Sequence, residues 1–213
     1  MTSKNTLIIG TRGSALALAQ ADMVRAALSA LHPGLDIRRE IIRTTGDRRM
    51  DVPLADVARV SGIVDKGIFI KELETALLEG RIDVAVHSLK DVPSELAPEF
   101  RLPAVLPRAA AEDVLITKEP DWNGRGTLAT GSVRRRLMAR TYWGRQLRFE
   151  DLRGNVPTRL EKLVEHPEWD AVILAKAGLE RLGLYAPETV VQGRKLYMLS
   201  LIHISEPTRP ISI

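Results

Sequence analysis

Cysteine is absent from the 213 residues, which removes disulfides, thiolate metal sites and thiol nucleophiles from the chain's own chemistry. The four histidines are scattered without metal-ligand spacing, so no metal centre is expected. Phe, Tyr and Trp occur three times each, too few for the aromatic interleaving of single-stranded nucleic-acid binders. No apolar run approaches membrane-spanning length, and MTSKNTLIIG is too short in apolar residues for a secretory signal. Neither a GxxxxGK[ST] loop nor a GxGxxG turn after the first strand occurs, which counts against nucleotide binding. A cytoplasmic protein without nucleic-acid or membrane partners is the expectation.

What the chain does have is an ordinary globular composition, 45% hydrophobic and 27% charged, with a net charge of +4 carried mostly by arginine. Such a balance favours an anionic partner. The stretch RIDVAVHSLKDVPSEL, Arg81 to Leu96, organises the rest. Ile82 to Leu89 reads as a strand covered on both faces, stopped by Val92-Pro93. Lys90 and Asp91 then stand just past its carboxyl end, where open α/β sheets form ligand crevices. The plainer reading of Lys90-Asp91 is a solvated turn.

Leu7 to Gly10 reads as a strand, and Thr11-Arg12-Gly13-Ser14 turns it into a helix over Ala15 to Leu31 capped by Ser14. Free N–H groups, a hydroxyl and Arg12 there make either an anion site or a mere cap with an exposed arginine. Leu35 to Thr44 is a second strand. Arg48 to Lys66 lacks periodicity and reads as a mobile flap, and Gly67 to Glu79 is a helix stopped by Gly80. These elements give a first α/β lobe over residues 1–98. Proline-rich residues 99–107 read as a hinge.

A second lobe, 108–195, repeats the theme. Asp113 to Thr117 is a strand, and Leu128-Ala129 run into Thr130-Gly131-Ser132 and a helix with Arg134, Arg135 and Arg136 in its first turn. Cations there oppose the helix dipole, which a bound anion would offset; a basic surface face is the alternative. Gln146 to Leu152 is a strand ending in Arg153-Gly154-Asn155. Asn155 or Thr158 caps the next helix, with Arg159 near its start. Trp169 to Ala175 leads into a short helix carrying Arg181. Guanidinium groups match carboxylate or phosphate bidentately. The pattern therefore describes one cleft between two lobes, lined with arginine, suited to a polycarboxylated small molecule. Asp91, the lone acid, suits a ligand that develops positive charge.

The blocks TRGSALALAQA, DKGIFIKELETALLEGRIDVAVHSLKDVP, ATGSVRRR, LRGNVPTRLEKL and DAVILAKAGLERLGL together resemble the porphobilinogen deaminase (hydroxymethylbilane synthase) family, from about Leu7 to Leu184. The resemblance implies an α/β fold of two periplasmic-binding-protein-like lobes with a third, α+β domain, and a transferase of tetrapyrrole biosynthesis. Such an enzyme joins four porphobilinogens head to tail on a dipyrromethane cofactor, as a monomer. It implies Asp91 as the catalytic residue. It implies Arg12, Ser14, Ser88, Lys90, Thr130, Ser132, Arg134, Arg135, Arg153, Asn155, Arg159 and Arg181 as substrate and cofactor contacts, with Phe69 beside the flap. The flap, 57–67, is longer than the family's glycine-rich form.

After about Val190 the pattern has no counterpart here: the return strand into the first lobe, the third domain and the cofactor-bearing cysteine are not matched. Residues 196–213, with two prolines, read as a non-native or disordered tail. The chain reads as a C-terminally truncated fragment with little or no turnover. The competing readings are a non-catalytic two-lobed protein that binds polycarboxylates and, third, a nucleic-acid binder.

Overall fold

The computed structural model describes residues 5–45 and 70–201. The flap and Phe69 lie outside the described residues, as does everything after Leu201. The chain divides into two compact units, one ending at Pro107 and the other beginning at Arg108. Among the described residues no helix is long and apolar enough to cross a membrane.

In the first unit, β1 (Thr6–Thr11) is followed by α1 (Ala15–Leu31), β2 (Asp36–Ile41), α2 (Lys71–Leu78) and β3 (Val84–Ala85). The three strands pair in the order β2-β1-β3, all parallel. Parallel neighbours need crossover connections, which is why a helix follows β1. Leu73 and Ala76 of α2 bury against Ile42 and Ile82, with Ile8 and Ala85 of the sheet packed beside them. Helix α1 begins and ends where the sequence places it. Ser14 Oγ accepts from the Ala17 amide at 3.3 Å, and His32 closes the far end.

The strand expected over Ile82 to Leu89 is much shorter than that. Only Val84 and Ala85 pair with β1 in a ladder, flanked by the single bonds Asp83 N to Ile8 O (2.8 Å) and Val86 N to Gly10 O (2.9 Å). Beyond them Leu89–Asp91 coil into one 3-10 turn, because the Asp91 amide donates back to Ser88 O at 2.9 Å. A contiguous apolar run sets burial potential, whereas ladder length depends on the neighbour, and β1 already gives way to the Arg12–Ser14 turn.

The second unit holds a six-stranded sheet, order β6-β5-β7-β4-β9-β8. Its elements are β4 (Asp113–Thr117), β5 (Gly126–Ala129), α3 (Val133–Trp143), β6 (Leu147–Glu150), α4 (Val156–Glu165), β7 (Ala171–Ala175), α5 (Lys176–Arg181), β8 (Glu188–Val191) and β9 (Arg194–Leu201). Strands β5, β6 and β7 are mutually parallel, and β4 runs antiparallel to both β7 and β9. Alternate residues of β4 and β7 serve different cores. Val114, Ile116, Val172 and Leu174 pack with Leu160 and Leu163 of α4 and Leu179 of α5. Leu115, Ala171 and Ile173 pack on the other side with Ala139 of α3 and Leu147. Helices on both faces explain why DVLIT and AVILA are unbroken apolar runs rather than alternating ones.

The β8–β9 hairpin corrects the expectation of a tail from residue 196. Residues 194–201 form a strand paired with β4 and β8, with Leu196 and Met198 in the core. Its two-residue turn, Gln192-Gly193, has positive φ at both positions (49° and 76°), the geometry that matches strand twist in tight hairpins. Glutamine there lacks the usual Asn-Gly or Asp-Gly signal, so the sequence pattern hides the turn.

Candidate functional site

Turns and helix starts that follow strand ends carry most of the candidate side chains, whereas Arg181 closes the short helix α5. In the second unit β5, β6 and β7 are parallel neighbours, so their carboxyl ends lie along one edge of one sheet. At that edge β5 passes through Thr130-Gly131-Ser132 into α3, β6 through Arg153-Gly154-Asn155 into α4, and β7 directly into α5. Gly131 is required by close approach: a Cβ there would come within 2.9 Å of the Leu152 carbonyl. Ser132 Oγ accepts from the Arg135 amide at 3.4 Å, and Asn155 Oδ1 from the Thr158 amide at 2.9 Å. With Ser14 in the first unit, these are the same cap three times, side chain to the third helical residue. Asn155, not Thr158, is the cap of α4; Thr158 Oγ1 donates to the same oxygen at 2.8 Å. Thr130 is buried, and its Oγ1 accepts from the Ser132 amide at 3.2 Å.

The arginines differ sharply in what they touch. Arg135 is buried at 8% exposure and grips Asp113, itself 2% exposed, side-on: Nε to Oδ2 at 2.8 Å and Nη2 to Oδ1 at 2.6 Å. Its Nη1 donates to the Ile173 carbonyl at 3.3 Å. Arg136 donates to the Thr130 carbonyl at 3.1 and 3.0 Å and pairs with Asp151. The conflict between cations and the start of α3 is thus met, for Arg135 and Arg136, by acids of the chain itself. Arg134 is exposed. A bound anion is not needed to explain Arg135, and this narrows its expected role as a ligand contact.

Arg159 presents the opposite case. It donates from Nε to the Gly154 carbonyl at 2.8 Å, and its pKa is drawn down to about 10 by burial, then by the positive charges of Arg135 and Arg153. Three guanidinium groups therefore crowd one end of this sheet. Arg181, in α5, keeps a buried Nε with no hydrogen-bond partner among the described residues. A carboxylate-bearing ligand placed against this edge would relieve both conditions.

In the first unit, the ladder of β1 with β3 ends at Gly10↔Ala85, two residues before Arg12 on one strand and two before His87 on the other. Burial lowers the His87 pKa below 6.5, Asp91 raises it and Arg12 lowers it again, so Asp91 and Arg12 both lie within electrostatic reach of one imidazole. Asp91 is half-buried and Lys90 exposed. Ser88 Oγ donates to Gln20 Oε1 of α1 at 2.8 Å, tying the 3-10 turn to the helix that begins at Ser14. Gln20 and His87 were not singled out by sequence reasoning as site residues. His87 stood in the organising stretch and Gln20 in the first helix, but only the fold brings them to Ser88 and Arg12. Among the described residues no group of three or more His, Asp or Glu side chains could hold a metal ion.

The family model for porphobilinogen deaminase, dipyromethane cofactor binding domain, matches residues 7–201. A porphobilinogen deaminase from Roseiflexus sp. (strain RS-1) is 47% identical over 186 residues, covering 85% of this chain and 58% of that protein. One from Gloeobacter violaceus is 44% identical over 187 residues, 84% of this chain and 54% of that protein. The chain spans little more than half the length of these curated relatives. Among solved structures, the periplasmic VFT2 domain of Bordetella pertussis BvgS covers 92% of this chain and 75% of its own, at 18% identity and a TM-score of 0.48, too loose a likeness to carry weight. The family match runs past Leu184, where the sequence blocks end, and past Val190, and takes in the β8–β9 hairpin.

Proposed function

Since the chain belongs to the porphobilinogen deaminase family, we propose that it serves hydroxymethylbilane synthesis in the tetrapyrrole pathway, a transferase reaction that condenses four porphobilinogens with loss of ammonia each time. The observation that carries this reading is Arg159: a half-buried guanidinium crowded by Arg135 and Arg153 calls for an acid-bearing ligand. Each porphobilinogen brings two carboxylates, an acetate and a propionate.

The residues divide the work by charge. Arg153, Arg159 and Arg181, with the capped helix starts at Thr130–Ser132 and Asn155, hold acid side chains of the growing chain. Arg12, Ser14, Ser88 and Lys90 hold ligand acids in the first unit, and Arg134, being exposed, meets them from solvent. When ammonia departs from the aminomethyl group, positive charge spreads over the substrate's pyrrole, and the Asp91 carboxylate stabilises it. The proton then lost from the coupling carbon passes to Asp91.

The dipyrromethane group fits this donor set, because its acids answer the crowded arginines; when bound it supplies the pyrrole carbon to which the first substrate is joined. None of these 213 residues is a cysteine, so no thioether to the group forms within them. Without that anchor these residues on their own turn over weakly or not at all, and the protein works as a monomer in the cytoplasm.

Calorimetric titration with porphobilinogen, alongside assays of released ammonia and hydroxymethylbilane, tests the proposal. Saturable binding with little repeated turnover is the expected result. No binding would overturn the assignment of ligand, and robust turnover would overturn the fragment reading. In the full-length protein, Asp91→Asn is expected to slow product formation by about 10²–10⁴-fold with binding kept within a few-fold; unchanged activity would make Asp91 a bystander. Ligand binding by a full-length protein that forms no product would favour a non-catalytic polycarboxylate carrier.

A further inference from the structure

The Asp113–Arg135 pair occupies an unusual place for a buried ion pair. Asp113 opens β4, opposite Ala175, the last residue of β7, which itself caps α5. Arg135 stands in the first turn of α3 and reaches down to Asp113 and to the β7 carbonyl of Ile173. One guanidinium thus ties together the ends of two strands and the start of a helix, at the sheet edge where Arg153 and Arg159 also lie. Buried ion pairs of this kind contribute little net stability compared with apolar residues of the same volume, whereas removing one partner is costly. Stability is a poor account of its presence; fixing charge and orientation is a better one.

We propose that Asp113 is the resident counter-ion of the arginine cluster, a positioning residue that holds Arg135 side-on and keeps its fork from taking up a second anion. The geometry supports this directly. Of the five N–H groups on a guanidinium, Arg135 commits two to the Asp113 carboxylate and one to Ile173, so its bidentate face is already filled. The helix start and the two neighbouring arginines all raise the local positive potential, and Asp113 is the buried acid that answers it. With Asp113 neutralised, the fork of Arg135 becomes a vacant anion site inside the cluster. This deepens the binding role proposed above and rests on it only for the identity of the ligand.

The test is thermal unfolding of the full chain at rising sodium sulfate, against sodium chloride at matched ionic strength. In Asp113→Asn the melting temperature is expected to fall at low salt, and its sulfate-specific rise to be at least twice that of the parent. Adding Arg135→Met to Asp113→Asn should return the sulfate response to the parental slope. A lowered melting temperature with an unchanged sulfate slope would overturn the proposal, since a purely structural pair predicts that outcome. If Asp113→Asn is unfolded at low salt, recovery of its circular dichroism by sulfate but not by chloride supports the role, and failure to recover with sulfate overturns it. Porphobilinogen titrated into the parent chain separates the two ideas. No porphobilinogen binding with the expected sulfate behaviour sinks the ligand assignment alone.

Discussion

Arg12 and Arg135 belong to junctions built alike, a buried strand, a short turn and a helix capped by serine on its third residue. Their surroundings differ. Arg135 is enclosed by Asp113 because the second unit inserts an antiparallel strand, β4, beside β7. No antiparallel strand adjoins β1 among the described residues of the first unit, and Arg12 sits by a half-buried imidazole with Asp91 close by. One local motif yields a structural clamp in one unit and a half-exposed turn in the other. The lesson is that a cation at a helix start shows where an anion belongs, while the neighbouring strand decides whether the protein itself provides it.

Five substitutions sharpen that contrast. The largest effect is expected from Arg135→Met, which leaves Asp113 charged and buried. Denaturant unfolding should show a loss of roughly 3–5 kcal/mol, whereas Arg12→Met should cost less than about 1 kcal/mol; equal costs would erase the distinction between the units. Next come the caps. Ser14→Ala and Asn155→Ala should each destabilise by about 1 kcal/mol, measured by the same unfolding curves, because both lose one side-chain bond to a helix amide. A negligible change for either would mean that water replaces the cap there.

The smallest effect concerns His87. Its folded pKa lies below 6.5, so on acidification the unfolded chain takes up a proton that the native state resists. More protons in the unfolded state mean that stability is present above pH 6.5 and falls as pH drops below it. Arg12 and Asp91 are the charged groups facing the ring: the first reinforces the burial effect and the second opposes it. His87→Asn should therefore flatten the fall in unfolding free energy below pH 6.5 relative to the parent. A parallel pH profile would mean that His87 titrates like an exposed imidazole.

Much of this molecule was legible before any coordinates. Helix α1, its Ser14 cap and its end at His32 follow from local chemistry: a hydroxyl before an alanine- and leucine-rich run, then Pro33-Gly34. The apolar runs of β4 and β7 announced strands, and glycine and hydroxyl residues marked the turns at Thr130 and Asn155. Family blocks in fixed order gave the family. The hairpin of β8 and β9 escaped because Gln192 gives no turn signal and its strands are held by pairing with a distant β4. The organising strand was overread because an apolar run does not report where its partner stops.

Residue types and their order along the chain therefore determined the α/β class, the capped helix starts and the presence of arginine at three strand ends, since each depends on bonds within a few positions. Tertiary structure alone decided which arginine is satisfied. Asp113 lies 22 positions from Arg135, and only the pairing of β4 with β7 brings that carboxylate beneath the helix, leaving Arg159 as the half-buried charge still pressed by its own kind.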